Sequence, residues 1–138
     1  MSDKMLSYGE TVKFHGHDGP FLALGYRAGK LAIKELKPEG IMGMECTIET
    51  VYKKPFICVV DGIQSSTYCT FGKGILKFVG SNDEKVKISF RNKKNNKKME
   101  IIVRDEIIQR ALSAKDLKKE VDWINGQPDS SLFIIKLV

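Results

Sequence analysis

Pro20-Phe21-Leu22-Ala23-Leu24-Gly25-Tyr26-Arg27-Ala28-Gly29-Lys30-Leu31-Ala32-Ile33-Lys34-Glu35-Leu36-Lys37 reads as the long helix around which the chain is organised. Phe21, Leu24, Ala28, Leu31, Ala32 and Leu36 recur at three- and four-residue steps and draw one apolar face. Asp18 or Gly19 can cap it, and Pro20 suits its first position because a helix leaves that N–H unbonded anyway. Pro38-Glu39-Gly40 stops it. Gly25 and Gly29, one turn apart, leave room for another backbone to approach closely.

The rest of the chain is read outward from that helix. Residues 5–13 form a lead-in helix or an extended arm. Downstream, Met44, Cys46 and Ile48 alternate with Glu45, Thr47 and Glu49, so residues 44–54 form a strand. The apolar run Phe56 to Val60 suits a buried strand, with Asp61 capping a short helix through about residue 69. Thr70 to Gly74 is a loop. Strands follow at 75–79, at 86–91, where Val86, Ile88 and Phe90 alternate with polar residues, and at 99–103. A second long amphipathic helix spans 105–123, ended by Asn125-Gly126-Gln127-Pro128, and a last strand runs from Leu132 to Val138. Helices and strands do not alternate strictly. The expectation is one α+β domain over residues 1–138, with a mostly antiparallel sheet, two long helices and one short helix.

Hydrophobic residues at 42% and charged residues at 29% fit a folded domain and exclude a disordered, collagen-like or disulfide-rich scaffold. No apolar run approaches the roughly 18–20 residues of a membrane span. The start Met1-Ser2-Asp3-Lys4-Met5 lacks a signal-peptide pattern, so cytoplasmic residence is expected. Of the net charge of +6, five positive charges lie in Arg91-Asn92-Lys93-Lys94-Asn95-Asn96-Lys97-Lys98. That segment has no aromatic residue to stack on a base, so a solvated hairpin loop is favoured over nucleic-acid contact.

Two clusters carry chemistry. His15 and His17, the only histidines, lie two apart in the turn Phe14-His15-Gly16-His17-Asp18-Gly19-Pro20. On extended backbone an HxH pair points both rings to one side, which suits a single metal ion; a hydrogen-bonding role at the helix start is the alternative. The second cluster, Cys58 to Gly74, holds Cys58, Asp61, Gln64, Cys69, Thr70 and Lys73. The three cysteines, Cys46, Cys58 and Cys69, form no CxxC pair, which excludes a structural zinc finger or a thioredoxin-type motif. Cys46, in an alternating strand, reads as a buried small hydrophobe. Gly72-Lys73-Gly74 lacks the spacing of a phosphate loop.

Phe14-His15-Gly16-His17, with Pro20 and Leu24-Gly25-Tyr26-Arg27-Ala28-Gly29, resembles the opening of the FmdE family, named for a component of formylmethanofuran dehydrogenase. Cys58 to Gly74 is similar to its C-x-x-D-(A/G)-I-Q…C-T-x-G-K-G stretch, and the resemblance runs from about residue 10 to 138. It implies an α+β core that forms intertwined dimers, here without the C-terminal zinc-finger domain of some members. It also implies an accessory protein or partner of molybdenum or tungsten formylmethanofuran dehydrogenase-type one-carbon metabolism, with no membrane association. His15, His17, Cys58 and Cys69 are then metal ligands, for a divalent ion such as zinc. Asp61 and Lys73 are proton donors or acceptors, Asp61 reading equally as a plain cap. Gln64, Thr70 and Arg27 bind a cofactor or a small anionic ligand, with a surface ion pair as the alternative for Arg27. The family commonly reads HGHxCPG; this chain has Gly19 in place of that cysteine and Phe21 in place of the glycine, so one thiol is lost. A stand-alone metal-dependent enzyme acting on a small anionic substrate in a dimer cleft is the alternative reading.

Overall fold

The structure, a computed structural model, describes residues 5–138. Twelve elements follow in chain order: α1 Tyr8–His15, α2 Pro20–Leu36, β1 Met44–Val51, α3 Cys58–Thr67, a 3-10 turn Phe71–Lys73, β2 Leu76–Ser81, β3 Val86–Asn92, β4 Lys98–Val103, α4 Asp105–Ser113, α5 Leu117–Gly126, α6 Asp129–Leu132 and β5 Phe133–Leu137. The five strands make one mixed sheet in the order β2-β1-β3-β4-β5, parallel only between β1 and β2. The α+β expectation and its largely antiparallel sheet hold.

One sheet face carries Met44, Cys46, Ile48, Val86, Ile88, Phe90, Met99, Ile101 and Val103, all buried beside the apolar residues of α2 and α3. The other face is charged: Glu45 pairs with Arg91, its register partner across β1 and β3, at 2.8 Å, and Lys87 of β3 pairs diagonally with Glu100 of β4 at 3.4 Å. Period-two patterning therefore sorts apolar residues onto the helices and ions into water.

The α2–α3 crossing sets the geometry of everything that follows. A Cβ on Gly25 would lie 2.8 Å from the Cα of Val59, and one on Gly62 would lie 2.6 Å from the backbone N of Tyr26. Real Cβ atoms do not approach that closely, so glycine at both positions lets the two backbones touch. The close approach foreshadowed by Gly25 and Gly29 is therefore met within the chain, by α3.

Four expectations are corrected. Phe56 to Val60 is not a strand: α3 begins at Cys58, and the buried residues Phe56, Val59 and Ile63 follow helical spacing. A short apolar run has no period of its own, and here it belongs to a turn and the helix after it. Asp61 is accordingly inside the first turn of α3 rather than its cap. The helix expected at 105–123 is two helices, because the Asp116 carboxylate accepts the Lys119 N–H at 3.1 Å and starts α5 afresh. The lead-in is a helix, α1, opened by a capping box between Ser7 and Glu10 and closed by Gly16 at φ 104°. His15 ends that helix, so the HxH pair does not lie on extended backbone.

The basic segment closes the β3–β4 hairpin. Asn92 is buried and donates to the Leu36 carbonyl at 2.8 Å; Arg91 bonds Glu45 and Asn96, and Lys94 bonds Glu39. Among the described residues no helix is long and apolar enough to cross a membrane.

Candidate metal centre

Three pieces of chain meet at one point: the end of α1, the turn 16–19 and the first turn of α3. The turn is locked by Asp18, whose Oδ1 accepts the Tyr8 hydroxyl at 2.5 Å and the Gly19 N–H at 2.9 Å. Burial, and then the Asp18 carboxylate, hold the Tyr8 phenol protonated far above its ordinary range. The Nδ1–H of His17 donates to the Asp18 carbonyl at 3.0 Å, leaving its Nε2 as a lone-pair donor.

His15 is held still more firmly. Its Nδ1 lies 2.7 Å from Asp61 Oδ2; an ionised carboxylate only accepts, so Nδ1 carries the proton and Nε2 the lone pair. Asp61 Oδ1 accepts from Gln64 Nε2 at 3.1 Å, and Gln64 Oε1 accepts the Phe71 N–H at 3.0 Å. Yet His15 Nε2 itself is buried with no hydrogen-bond partner, the one such side-chain nitrogen or oxygen among the described residues. Leaving a buried polar atom unmatched costs about 1–3 kcal/mol.

That orphan points at a ligand set. Donor atoms of His15, His17 and Cys58 all lie within 4.8 Å of one another, close enough for one ion to bridge with small side-chain adjustments. Two imidazoles and a thiol suit zinc, and a carboxylate on the far nitrogen of a ligating histidine is the usual support for such a site. Burial pushes the Cys58 thiol up, reinforced by the Asp61 charge and opposed by Lys54, so a cation arriving there displaces a proton. The residues present fit the metal.

Other residues named from the sequence fall elsewhere. Cys69 is fully buried, and its thiol donates to the Met44 carbonyl at 3.2 Å. It contacts Cys46, whose thiol is held protonated by its hydrogen bond to Cys69 and by burial. The close donor group does not include Cys69. Lys73 Nζ donates to Thr70 Oγ1 at 2.9 Å, which makes those two partners of each other in the 3-10 turn. Arg27 bonds the carbonyls of Ile124 at 2.6 Å and Gln127 at 2.5 Å and the Asp129 carboxylate at 3.0 Å, fastening α2 to the α5–α6 connection. Asp61 and Gln64 are in the site, but in a line behind His15.

A cavity of about 680 Å³ opens on the donors, walled by Ile57, Val60, Phe71 and Phe78, with Tyr52 at its lip. A smaller one of about 270 Å³ adjoins it on the side of Gly19 and Pro20. His17 and Cys58 line both. Sequence reasoning missed these walls and the Tyr8–Asp18 lock. Asp18 was visible as a carboxylate inside a glycine-rich turn, but its partner ten residues earlier carried no signal.

A family model described as "FmdE, Molybdenum formylmethanofuran dehydrogenase operon" matches residues 14–131, which contain all three donors. No curated protein sequence matches the chain.

Proposed function

The chain belongs to the FmdE family, and from that premise we propose that it is a zinc-binding accessory protein or partner serving formylmethanofuran dehydrogenase-type metabolism in the cytoplasm. The observation that carries the metal reading is the buried, unpartnered Nε2 of His15, oriented from behind by Asp61. His15, His17 and Cys58 would hold the ion. Gly19, with no side chain, leaves the set at three, which is the pattern of centres that keep a position open rather than of closed structural ones. Bound zinc supplies Lewis acidity to whatever polar group enters from the cleft. Asp61 holds the His15 proton on Nδ1, and Gln64 holds Asp61.

The open position also favours a second reading, a metal-dependent enzyme in its own right. Its substrate would meet one cation, Lys54, at the cleft wall, since Arg27 and Lys73 do not line that cavity.

Equilibrium dialysis against zinc followed by elemental analysis tests the metal. One equivalent per chain is expected, with affinity lowered about 10–100-fold by Asp61→Asn, which keeps the size but weakens the support of His15. A wild-type protein that takes up no zinc sinks the proposal.

The protein is proposed to be a homodimer. On the described chain β5 pairs with β4 along one edge only, and Ile134, Ile135, Leu137 and Val138 stand 36–75% exposed there. An unpaired apolar strand edge is a template for a second strand. Sedimentation velocity should find twice the chain mass for wild type and a monomer for Ile135→Lys/Leu137→Lys. A monomeric wild type refutes it.

A further inference from the structure

The smaller cavity reaches two of the three donors, His17 and Cys58, from the side of Gly19 and Pro20. It runs from His17 and Cys58, past Gly19 and Pro20, to Ala111, Leu112 and Leu117 on either side of the α4–α5 break. Its volume, about 270 Å³, has room for a body of roughly five to seven carbons at interior packing density. Apart from the donors, Asp18 is its only charged or strongly polar side chain, and Asp18 Oδ1 is already bonded to Tyr8 and Gly19. No lysine or arginine lines it. Leu112 and Leu117 are 40% and 49% exposed, two leucines at the rim of a pocket rather than in the core. The restart of the helix at Asp116 is what sets them there.

Gly19 is the gate between donors and pocket. Its φ is 179°, ordinary extended backbone, so the glycine is not required by conformation. A Cβ there would sit 3.7 Å from the His17 ring, in ordinary contact. Without a side chain at 19, the space beside His17 stays continuous with the apolar pocket.

We propose that the three-donor centre takes one small exogenous ligand with a single metal-binding head, such as a thiol, and an apolar body seated between Pro20, Ala111, Leu112 and Leu117. This rests on the metal reading above. The head takes the open coordination position; the body is selected by hydrophobic burial. A polyanion is disfavoured, because Asp18 is the only charged wall group and has the wrong sign.

The test uses zinc-loaded full-length protein, with the cobalt form for spectroscopy, and straight-chain thiols of about two to seven carbons. Affinity by calorimetry should rise about fourfold per methylene and level off once the pocket is full. Each thiol should also shift the cobalt absorption, which reports entry at the ion. Leu112→Ser/Leu117→Ser, a change at exposed positions, should flatten that dependence while zinc uptake stays at wild-type level. Affinity independent of chain length in a zinc-loaded protein overturns the pocket and leaves the metal reading standing. A dependence that survives the double variant but vanishes in Phe71→Ser places the body in the larger cavity and also overturns it. Absence of zinc uptake overturns the metal reading itself, and the pocket with it.

Discussion

Replacing His15 by alanine is expected to lower zinc affinity by roughly two to three orders of magnitude and to leave the fold standing. Structural zinc binding of about 10–16 kcal/mol over four ligands assigns about 2.5–4 kcal/mol to each, and His15 is the best-oriented of the three donors here. Its Nδ1 is fixed by Asp61 and its Nε2 has no competing partner, so no hydrogen bond is broken when that nitrogen takes the ion. The same buried nitrogen is a cost to the metal-free fold, which alanine removes; Asp61 keeps its bond from Gln64. Thermal unfolding separates the two effects. With zinc at 100 times its dissociation constant the wild type should gain about 2.7 kcal/mol, a gain that falls below about 0.5 kcal/mol in His15→Ala at the same concentration. Cys58→Ser should lose affinity on a similar scale and abolish the sulfur-to-cobalt charge-transfer band. Gly19→Cys works in the opposite direction, since the extended backbone accepts a side chain and its thiol would stand beside the His17 ring. Equal affinity in wild type and His15→Ala would refute the centre.

Why those donors were legible while their arrangement was not comes down to where periodicity exists. The long helix α2 was readable because seventeen residues sample its period several times, and β1 and β3 because their alternation runs unbroken against one buried face. Phe56 to Val60 is five residues long and apolar throughout, so it fits a strand and a helix equally well. Only the continuation through Gly62 and Ile63 decides for the helix, and that decision moves Asp61 from a cap to the partner of His15. Cys69 looked like a fourth ligand because it shares a motif with Cys58. The chain direction after α3 turns it instead into the core beside Cys46. Arg27 and Lys73 advertised charge, yet nothing local predicts that their partners are the Ile124 and Gln127 carbonyls and Thr70. A charged side chain reveals its use only through its tertiary neighbours.

Gly25→Ala should cost about 3 kcal/mol, lowering the unfolding midpoint by roughly 10 °C, and should weaken zinc binding although residue 25 touches no donor. The added methyl would meet three backbone atoms of Val59 at under 3.0 Å, and backbone cannot rotate out of the way as a side chain can. The crossing must therefore open. Helix α3 carries Cys58 and Asp61, whereas His17 is tied to the turn that begins α2. Separating the helices by even a fraction of an ångström pulls the Cys58 sulfur away from the His17 imidazole. Gly40→Ala is not an equivalent control, because its φ of 69° is strained for any side chain. Gly9→Ala is one: its Cβ would meet only Ser7 Oγ, at 3.9 Å, and it lies within α1, where alanine is the better helix former. If Gly25→Ala unfolds at the wild-type temperature and binds zinc as the wild type does, the close crossing is not what holds the site together. If stability and zinc affinity fall together while Gly9→Ala retains both, the same contact that packs the domain also sets the spacing of the metal donors.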